Sequence, residues 1–264
     1  MNIGLALSGG GARGFALLGV IKALLEQGFQ PQVLSGVSSG AIAGALFAEG
    51  YSPDRILQIF LSTRLFRFIR PSTSLMGFFR MERMAKLCET YLPHNSFEGL
   101  KMPLTICATD IEAGELAYFS SGSLIRPLLA SGSIPVMFEP VRIDGRIYVD
   151  GGILNNMPVE PLLGNCDFII GVHTNPCKGS RPIVNMRNVM ERSLLLAIHN
   201  NVPERARMCD VFIEPPSLCK YTTLDSSKAR EIFEIGYVFT MEKASHLAET
   251  YARKLLVYKE ARQI

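Results

Sequence analysis

Three short stretches of the chain contain residues that could do chemistry together. The first is the pentapeptide Gly36–Gly40, which reads G-V-S-S-G and has Ser38 at its centre. A short apolar approach precedes it and a run of small residues follows, which predicts a sharp turn from a strand into a helix. On such a turn the serine hydroxyl stands clear of the sheet, and the glycines leave room for a substrate. An ordinary glycine-rich loop has the same composition, so the interpretation depends on the other two stretches.

The second stretch is Gly9–Gly14 (G-G-G-A-R-G), which follows a predicted strand and opens a predicted helix. Its backbone N–H groups would lie at the positive end of that helix, where anions are stabilised. The spacing G-x-G-x-x-G matches a nucleotide-binding fingerprint, but that site needs an acidic residue after the second strand, where Ser38 stands instead. The competing use is an oxyanion hole, in which a single N–H donor contributes roughly 3–4 kcal/mol to the transition state.

The third stretch, Val149–Gly152 (V-D-G-G), supplies a candidate base for the serine. Asp150 ends a predicted strand beside glycines that let another loop approach. Asp-Gly is also a common turn pair, and Asp110 and Asp144 are more simply explained as turn residues. An aspartate with an ordinary pKa of about 3.9 is a weak base. Asp150 would therefore need a dry site and a hydrogen bond of roughly 2.6–3.2 Å to Ser38.

A histidine is the alternative base. The chain has four, at His94, His173, His199 and His246. Three of them fall in a loop or in helical patterns, whereas His173 follows a buried strand. The order Ser38, Asp150, His173 matches the chain order of α/β-hydrolase triads, although an elbow after the second strand is early for that fold. A Ser-Asp dyad and a Ser-Asp-His triad both stay open at this point.

The pattern of strands and helices explains how these stretches could meet. Strand patterns at 3–7 and 33–36 each lead into a motif and then a helix, at 14–27 and 39–49, which is a βαβα unit with parallel strands. Further strands are predicted at 103–109, 116–120, 141–143, 146–149, 168–172 and 211–213. Further helices are predicted at 53–61, 81–92, 123–131, 189–208 with Pro203 as a kink or start, and 228–259 with a break near Gly236. The predicted architecture is a single α/β domain over residues 1–264.

Composition excludes several classes of protein. The 264 residues are 48% hydrophobic and 19% charged, which fits a packed globular chain rather than a disordered one. A net charge of +3 without a Lys/Arg run argues against nucleic-acid binding. The six cysteines form no C-x-x-C pair, and neither a signal peptide nor a run of roughly 18 apolar residues is evident. We therefore expect free thiols and a cytoplasmic location.

Together, the motifs at 9–14, 36–40 and 150–152 resemble those of the patatin-like phospholipase family. Weaker matches occur at 108–115 (A-T-D and G-E), at 130–135 (A-S-G-S-I-P) and at 156–159 (N-M-P-V). The resemblance covers residues 3 to about 175, and the carboxy-terminal third carries no usable motif.

The resemblance implies a three-layer α/β/α fold with a mainly parallel sheet and a Ser-Asp dyad without histidine. By it, Ser38 is the nucleophile, Asp150 is the base, the N–H groups of Gly10 and Gly11 form the oxyanion hole, and Arg13 holds that loop. The implied activity is hydrolysis of lipid acyl esters as a phospholipase A, lysophospholipase or carboxylesterase, without a metal or other cofactor.

One stretch outside these motifs combines basic and aromatic residues. It runs from Arg64 to Arg80 and includes R-L-F-R-F-I-R and G-F-F-R. Burial of the aromatic residues in the core, with arginines at the rim, is one interpretation. The other is a mobile flap whose Phe and Arg residues contact an amphiphile or an anionic lipid surface, which would make the protein peripherally membrane-associated.

Overall fold

The computed structural model describes residues 1–63, 76–176, 183–223 and 226–261. Its strands are β1 (Ile3–Leu7), β2 (Val33–Val37), β3 (Leu104–Asp110), β4 (Glu115–Phe119), β5 (Val141–Ile143), β6 (Arg146–Asp150), β7 (Phe168–Val172) and β8 (Val211–Ile213). Its α-helices are α1 (Phe15–Glu26), α2 (Ser39–Glu49), α3 (Pro53–Thr63), α4 (Glu82–Tyr91), α5 (Ile125–Ser131), α6 (Met186–His199), α7 (Val202–Ala206), α8 (Ala229–Glu242) and α9 (Ala244–Glu260). The predicted α/β alternation is confirmed.

The strands form one sheet in the order β5-β6-β3-β2-β1-β7-β8, with β4 also paired to β3. Strands β3, β2, β1, β7 and β8 are parallel to one another. Strands β4 and β6 each pair antiparallel with β3, and β5 pairs antiparallel with β6. The mainly parallel sheet expected from the βαβα pattern is therefore confirmed, with an antiparallel extension at one side.

One edge of β3 pairs first with β2 and then, further along, with β6. Cys107 pairs with Val37 of β2 on one side and with β4 on the other. One residue later, Ala108 still pairs with β4, but its second partner is Asp150 of β6. Because β4 occupies one edge throughout, β2 and β6 must occupy the other. The ends of β2 and β6 therefore meet head to head, and this brings Ser38 and Asp150 together.

Alternate residues of the central strands face two different hydrophobic cores. In β1, Leu5 belongs to the larger core and Ala6 to the smaller one, and Ile170 and Ile169 of β7 divide in the same way. The larger core is completed by apolar residues of α1, α2, α3 and α8, and the smaller core by the segment 157–162. This is the predicted three-layer arrangement, with a thinner layer on the second face.

Two glycines let α1 and α8 pack closely. A methyl group at Gly19 would lie 2.7 Å from a backbone nitrogen of α8, and one at Gly236 would lie 2.8 Å from the carbonyl carbon of Ala16. The helix runs unbroken through Gly236 and ends at Glu242, so the break predicted near Gly236 is wrong. Gly236 serves a close helix contact rather than a bend.

Two other local predictions are confirmed. Asp144 and Gly145 have φ values of 49° and 83°, the left-handed pair that a two-residue hairpin turn requires. Pro203 lies in the first turn of α7, so the helix expected over 189–208 is divided into α6 and α7 where the proline predicted it.

Within the described ranges, no helix combines the length and apolar composition needed to cross a bilayer. The five cysteines in those ranges are free thiols, as expected. Cys177 and residues 64–75 of the basic and aromatic stretch lie outside the described residues.

Candidate active site

Ser38 stands on a strained turn between β2 and α2. Its φ of 53° and ψ of −125° lie in a region that residues other than glycine rarely occupy. The turn is tight, because a methyl group at Gly36 would lie 2.7 Å from the carbonyl oxygen of Gly40. The predicted strand–turn–helix context of Ser38 is thus present, and strain of this kind is typical of functional sites.

Ser131, at the end of α5, stabilises the turn through a hydrogen bond. The Ser131 hydroxyl accepts a hydrogen bond from the N–H of Ser38 (2.8 Å) and donates one to the carbonyl of Cys107 in β3 (2.6 Å). Ser131 is fully buried, so both bonds are shielded from water. Ser131 therefore links the turn at Ser38 to β3, the strand with which β6 pairs.

Asp150 ends β6 and is held by backbone and side-chain contacts. Its N–H donates to the carbonyl of Ser133 (2.9 Å), its carbonyl accepts from the Thr109 hydroxyl (3.1 Å), and its Oδ1 accepts from the N–H of Gly152 (2.8 Å). Burial raises the pKa of Asp150 to about 6, and hydrogen bonds from the Ser38 side chain and Gly152 partly oppose that rise. The carboxyl group is therefore dry, close to Ser38 and more basic than an ordinary aspartate.

The glycine loop after β1 is oriented through one carbonyl group. The Gly9 carbonyl accepts hydrogen bonds from the hydroxyls of Ser8 and Thr174 (3.0 Å each) and from the Asn175 amide (2.7 Å). In a planar trans peptide the next N–H points the opposite way, so these bonds turn the Gly10 N–H away from their donors. Among the described residues, no acceptor binds the N–H of Gly10 or of Gly11. Both groups remain available to an anion.

Arg13 connects this loop to the carboxy-terminal third. Its guanidinium donates twice to the carbonyl of Tyr221 (3.0 and 2.8 Å) and once to Oδ1 of Asn175 (3.2 Å). Two residues later, the carbonyl of Thr223 accepts from the N–H of Ala12 (2.7 Å). The buried arginine thus acts on the shape of the loop through Tyr221 and Asn175.

A cavity of 490 Å³ opens onto Ser38. Apolar side chains of α1 to α4 form most of its wall, among them Phe15, Leu18, Ile42, Ala43, Phe60, Met84 and Leu87. Charged side chains at the start of α4 and just before it also line it, namely Arg80, Glu82, Arg83 and Lys86. A space of this size with an apolar wall and a charged rim suits one end of an amphiphile.

His173 lies deep beside the site and is fully buried. Its Nδ1 is 2.7 Å from Oε1 of Glu214, and its Nε2 is 3.4 Å from Nδ2 of Asn156. Burial lowers the pKa of the imidazole, which Glu214 partly opposes. The two hydrogen-bond partners of the ring are therefore Glu214 and Asn156, whereas Ser38 and Asp150 contact each other.

Several residues that shape the site were given no role by the sequence. Ser131 and Asn156 fall within the weaker motif matches at 130–135 and 156–159, so a signal existed without a chemical interpretation. Tyr221 and Thr223 lie in the third of the chain that carries no motif, and only the fold brings them to the glycine loop.

The chain is similar in sequence to known proteins. A family model described as patatin-like phospholipase matches residues 5–163, which is more than half of the chain. An uncharacterized NTE family protein of Mycobacterium tuberculosis is 35% identical over 202 residues, covering 73% of this chain and 56% of the relative. Lysophospholipase NTE1 of Kluyveromyces lactis is 28% identical over 287 residues, covering 94% of this chain and 19% of the relative. The chain thus spans only about half or less of the length of these relatives.

The fold has a counterpart among solved structures. VipD from Legionella pneumophila superimposes with a TM-score of 0.53 at 16% sequence identity, covering 93% of this chain and 66% of VipD. At that identity the likeness concerns the fold alone. The matched family model and the sequence relatives carry the assignment: the chain belongs to the patatin-like phospholipase family.

Proposed function

We propose that this chain hydrolyses acyl esters of lipids with a Ser38–Asp150 dyad. The observation that carries the proposal is the pairing of a strained, largely buried serine, which lines an apolar cavity, with a buried aspartate whose pKa is raised to about 6. An acid with that pKa is ionised near neutral pH and is a better base than an ordinary aspartate. Membership of a phospholipase family supports a lipid as the substrate.

In the acylation step, Ser38 Oγ attacks the carbonyl carbon of the ester and Asp150 takes its proton. The carbonyl oxygen becomes an oxyanion, which the N–H groups of Gly10 and Gly11 stabilise. The intermediate then collapses, the bond to the leaving alcohol breaks, and Asp150 returns the proton to that alcohol. The product is an acyl ester on Ser38 and an ionised Asp150, ready for hydrolysis by water.

The cavity and its rim suggest how a lipid would lie. The apolar wall would take the acyl chain, because removing it from water is favourable by about 0.8 kcal/mol for each buried methylene group. The charged side chains of Arg80, Glu82, Arg83 and Lys86 also line the cavity, and a polar headgroup would lie beside them. Lysophospholipase activity in a relative from Kluyveromyces lactis agrees with a lipid of this type.

The proposal includes contact with a lipid surface beside the cavity. Of the stretch Arg64–Arg80, the described part exposes Phe78 and Met76, with about two-thirds and half of their surfaces accessible to water. Exposed apolar side chains next to arginines are typical of proteins that touch membrane interfaces. Such contact would bring the cavity to its substrate.

The direct test uses a fluorophosphonate probe and nitrophenyl esters of graded chain length. The wild-type chain should be labelled and should hydrolyse the esters, and Ser38→Ala should lose both properties. Ser39→Ala is the matched control, because it removes the neighbouring hydroxyl, which also lines the cavity, and leaves Ser38 in place, so that probe labelling should persist. Labelling that survives Ser38→Ala would refute the proposal.

The pH dependence gives a second test. Because Asp150 must be ionised to accept the proton, kcat/KM should rise as the pH increases through about 6 and then level off.

A thermal-shift measurement with NAD or ATP tests the competing nucleotide-binding use of Gly9–Gly14. Stabilisation by a nucleotide without ester hydrolysis would favour that use.

A further inference from the structure

A second, smaller cavity of 50 Å³ also opens onto Ser38. Its wall includes Asp150 and Asn156, neither of which lines the large cavity. A water molecule needs roughly 10–15 Å³ of such space, so the small cavity has room for a few waters but not for an acyl chain. Its position beside both the nucleophile and its base makes it a candidate source of water for the reaction.

The orientation of the Asn156 amide follows from its neighbours. The carboxylate of Glu214 can only accept, so Nδ1 of His173 carries the proton and donates to it across 2.7 Å. Nε2 of the neutral ring is then an acceptor, and the group 3.4 Å away from it must be the NH₂ of Asn156. Oδ1 of Asn156 is therefore turned away from His173.

That oxygen lies between the glycine loop and the Asp150 turn. A methyl group at Gly9 would come within 2.7 Å of Oδ1, and one at Gly152 within 2.9 Å. In the described part of the chain, no donor lies within hydrogen-bond distance of Asn156 Oδ1. The atom is not completely buried, so a water molecule can reach it. Asn156 thus presents a free acceptor to the small cavity that Asp150 also lines.

We propose that Asn156 Oδ1 and the Asp150 carboxylate together bind and orient the water that hydrolyses the acyl-enzyme. The inference rests on the proposed function. Once Ser38 is acylated, its hydroxyl no longer donates to Asp150, which can then accept from water. Two acceptors that hold both protons of one water direct its lone pair toward the acyl carbon.

The hydrolytic step balances with these groups. The water oxygen bonds to the acyl carbon while one of its protons passes to Asp150 and the other stays hydrogen-bonded to Asn156. The oxyanion is held by Gly10 and Gly11. The bond between the acyl carbon and Ser38 Oγ then breaks, Oγ takes the proton from Asp150, and the fatty acid leaves. His173 is in this scheme a positioning residue, because it acts only through the Asn156 amide.

The test separates acylation from hydrolysis in Asn156→Ala. With a nitrophenyl ester in stopped flow, the first burst of nitrophenol reports acylation and the following steady rate reports hydrolysis. The burst rate should stay within about threefold of wild type, and hydrolysis should slow about tenfold to hundredfold, somewhat less than the loss of one oxyanion donor. The acyl-enzyme should accumulate and appear in the intact mass.

Asn155→Ala is the matched control. This neighbouring asparagine is equally buried, but its NH₂ group donates to Tyr118 and Glu160 and its Oδ1 accepts from the N–H of Met157, so that it does not line the small cavity. It should lower thermal stability without changing the ratio of the two rates. An equal fall of burst and steady rates in Asn156→Ala would mean that Asn156 only shapes the loop, and would overturn the inference. Absence of both ester hydrolysis and probe labelling in the wild-type chain would overturn the proposed function itself.

A second variant, His173→Phe, tests the positioning role without removing Asn156. Phenylalanine keeps a ring stacked near Phe212 but offers no acceptor, so the Asn156 amide is free to rotate. Hydrolysis of the acyl-enzyme should slow several-fold while the burst persists. Loss of the burst would identify His173 as the base of a triad and would contradict the scheme.

Discussion

Replacing Asp150 by asparagine should lower turnover strongly and yet stabilise the fold near neutral pH. Burial raises the pKa of Asp150 from 3.8 to about 6 and outweighs the hydrogen bonds that lower it. A raised pKa contributes stability that is complete below about pH 3.8 and is lost as the pH rises through about 6. Above pH 6 the fold therefore holds a buried carboxylate that the unfolded chain would solvate better.

The size of the effect follows from the two pKa values. At roughly 1.4 kcal/mol per pH unit, the difference corresponds to about 3 kcal/mol as an upper bound. By linkage, about half of this stabilising free energy is already lost at pH 5, and nearly all of it is lost at pH 8. Asparagine carries no charge, so the advantage of Asp150→Asn in free energy of unfolding should grow by up to about 1.5 kcal/mol between pH 5 and pH 8. Loss of the base should lower turnover by about a hundredfold or more.

Urea unfolding of both proteins at several pH values between 5 and 8 measures this directly. Asp144→Asn, in the exposed hairpin turn, is the matched control and should change the free energy of unfolding by less than about 0.5 kcal/mol. A difference between wild type and Asp150→Asn that stays constant with pH, or that shrinks as the pH rises, would refute the reasoning. It would mean that Asp150 is not a desolvated carboxylate.

Three further predictions concern the groups around the dyad. Ser131→Ala removes the acceptor for the Ser38 N–H and should lower kcat about tenfold and the free energy of unfolding by about 1–3 kcal/mol, measured by ester kinetics and urea unfolding. Arg13→Lys cannot reproduce the two bonds to Tyr221 and should lower kcat more than it raises KM, measured with a nitrophenyl ester. Ala43→Leu fills part of the large cavity and should shift the preferred nitrophenyl ester to a shorter chain while probe labelling persists.

Much of the fold could be predicted from the sequence because its elements carry strong local signals. The apolar runs of β1 and β7, the glycine after α2 and the Asp144-Gly145 turn each indicate their structure without help from distant residues. The break predicted at Gly236 was wrong because a glycine in a helix can equally serve a close contact. Only the tertiary structure shows α1 against that position.

Some parts of the candidate site could likewise be predicted from the sequence, and others could not. The glycine loop directly follows β1 and Ser38 directly follows β2, so their closeness follows from a parallel βαβ unit. The place of Asp150 does not, because it depends on which edge of β3 accepts β6. The supports from Tyr221, Thr223 and Glu214 come from a region without motifs, and hydrogen bonds across such sequence distances leave no periodic pattern to find.

The head-to-head meeting of β2 and β6 explains why the site is strained and dry at once. For β6 to reach Ala108, β2 must leave the edge of β3 after Val37, and the chain turns there through the unfavourable conformation of Ser38. The same junction buries Asp150, because sheet surrounds it where a loop would admit water. Strain of about 1–3 kcal/mol in the turn and the desolvated carboxylate both oppose folding. They are tolerated because the two cores on either side of the sheet hold the strand ends in place, and that rigidity is what keeps hydroxyl and carboxylate within reach of each other.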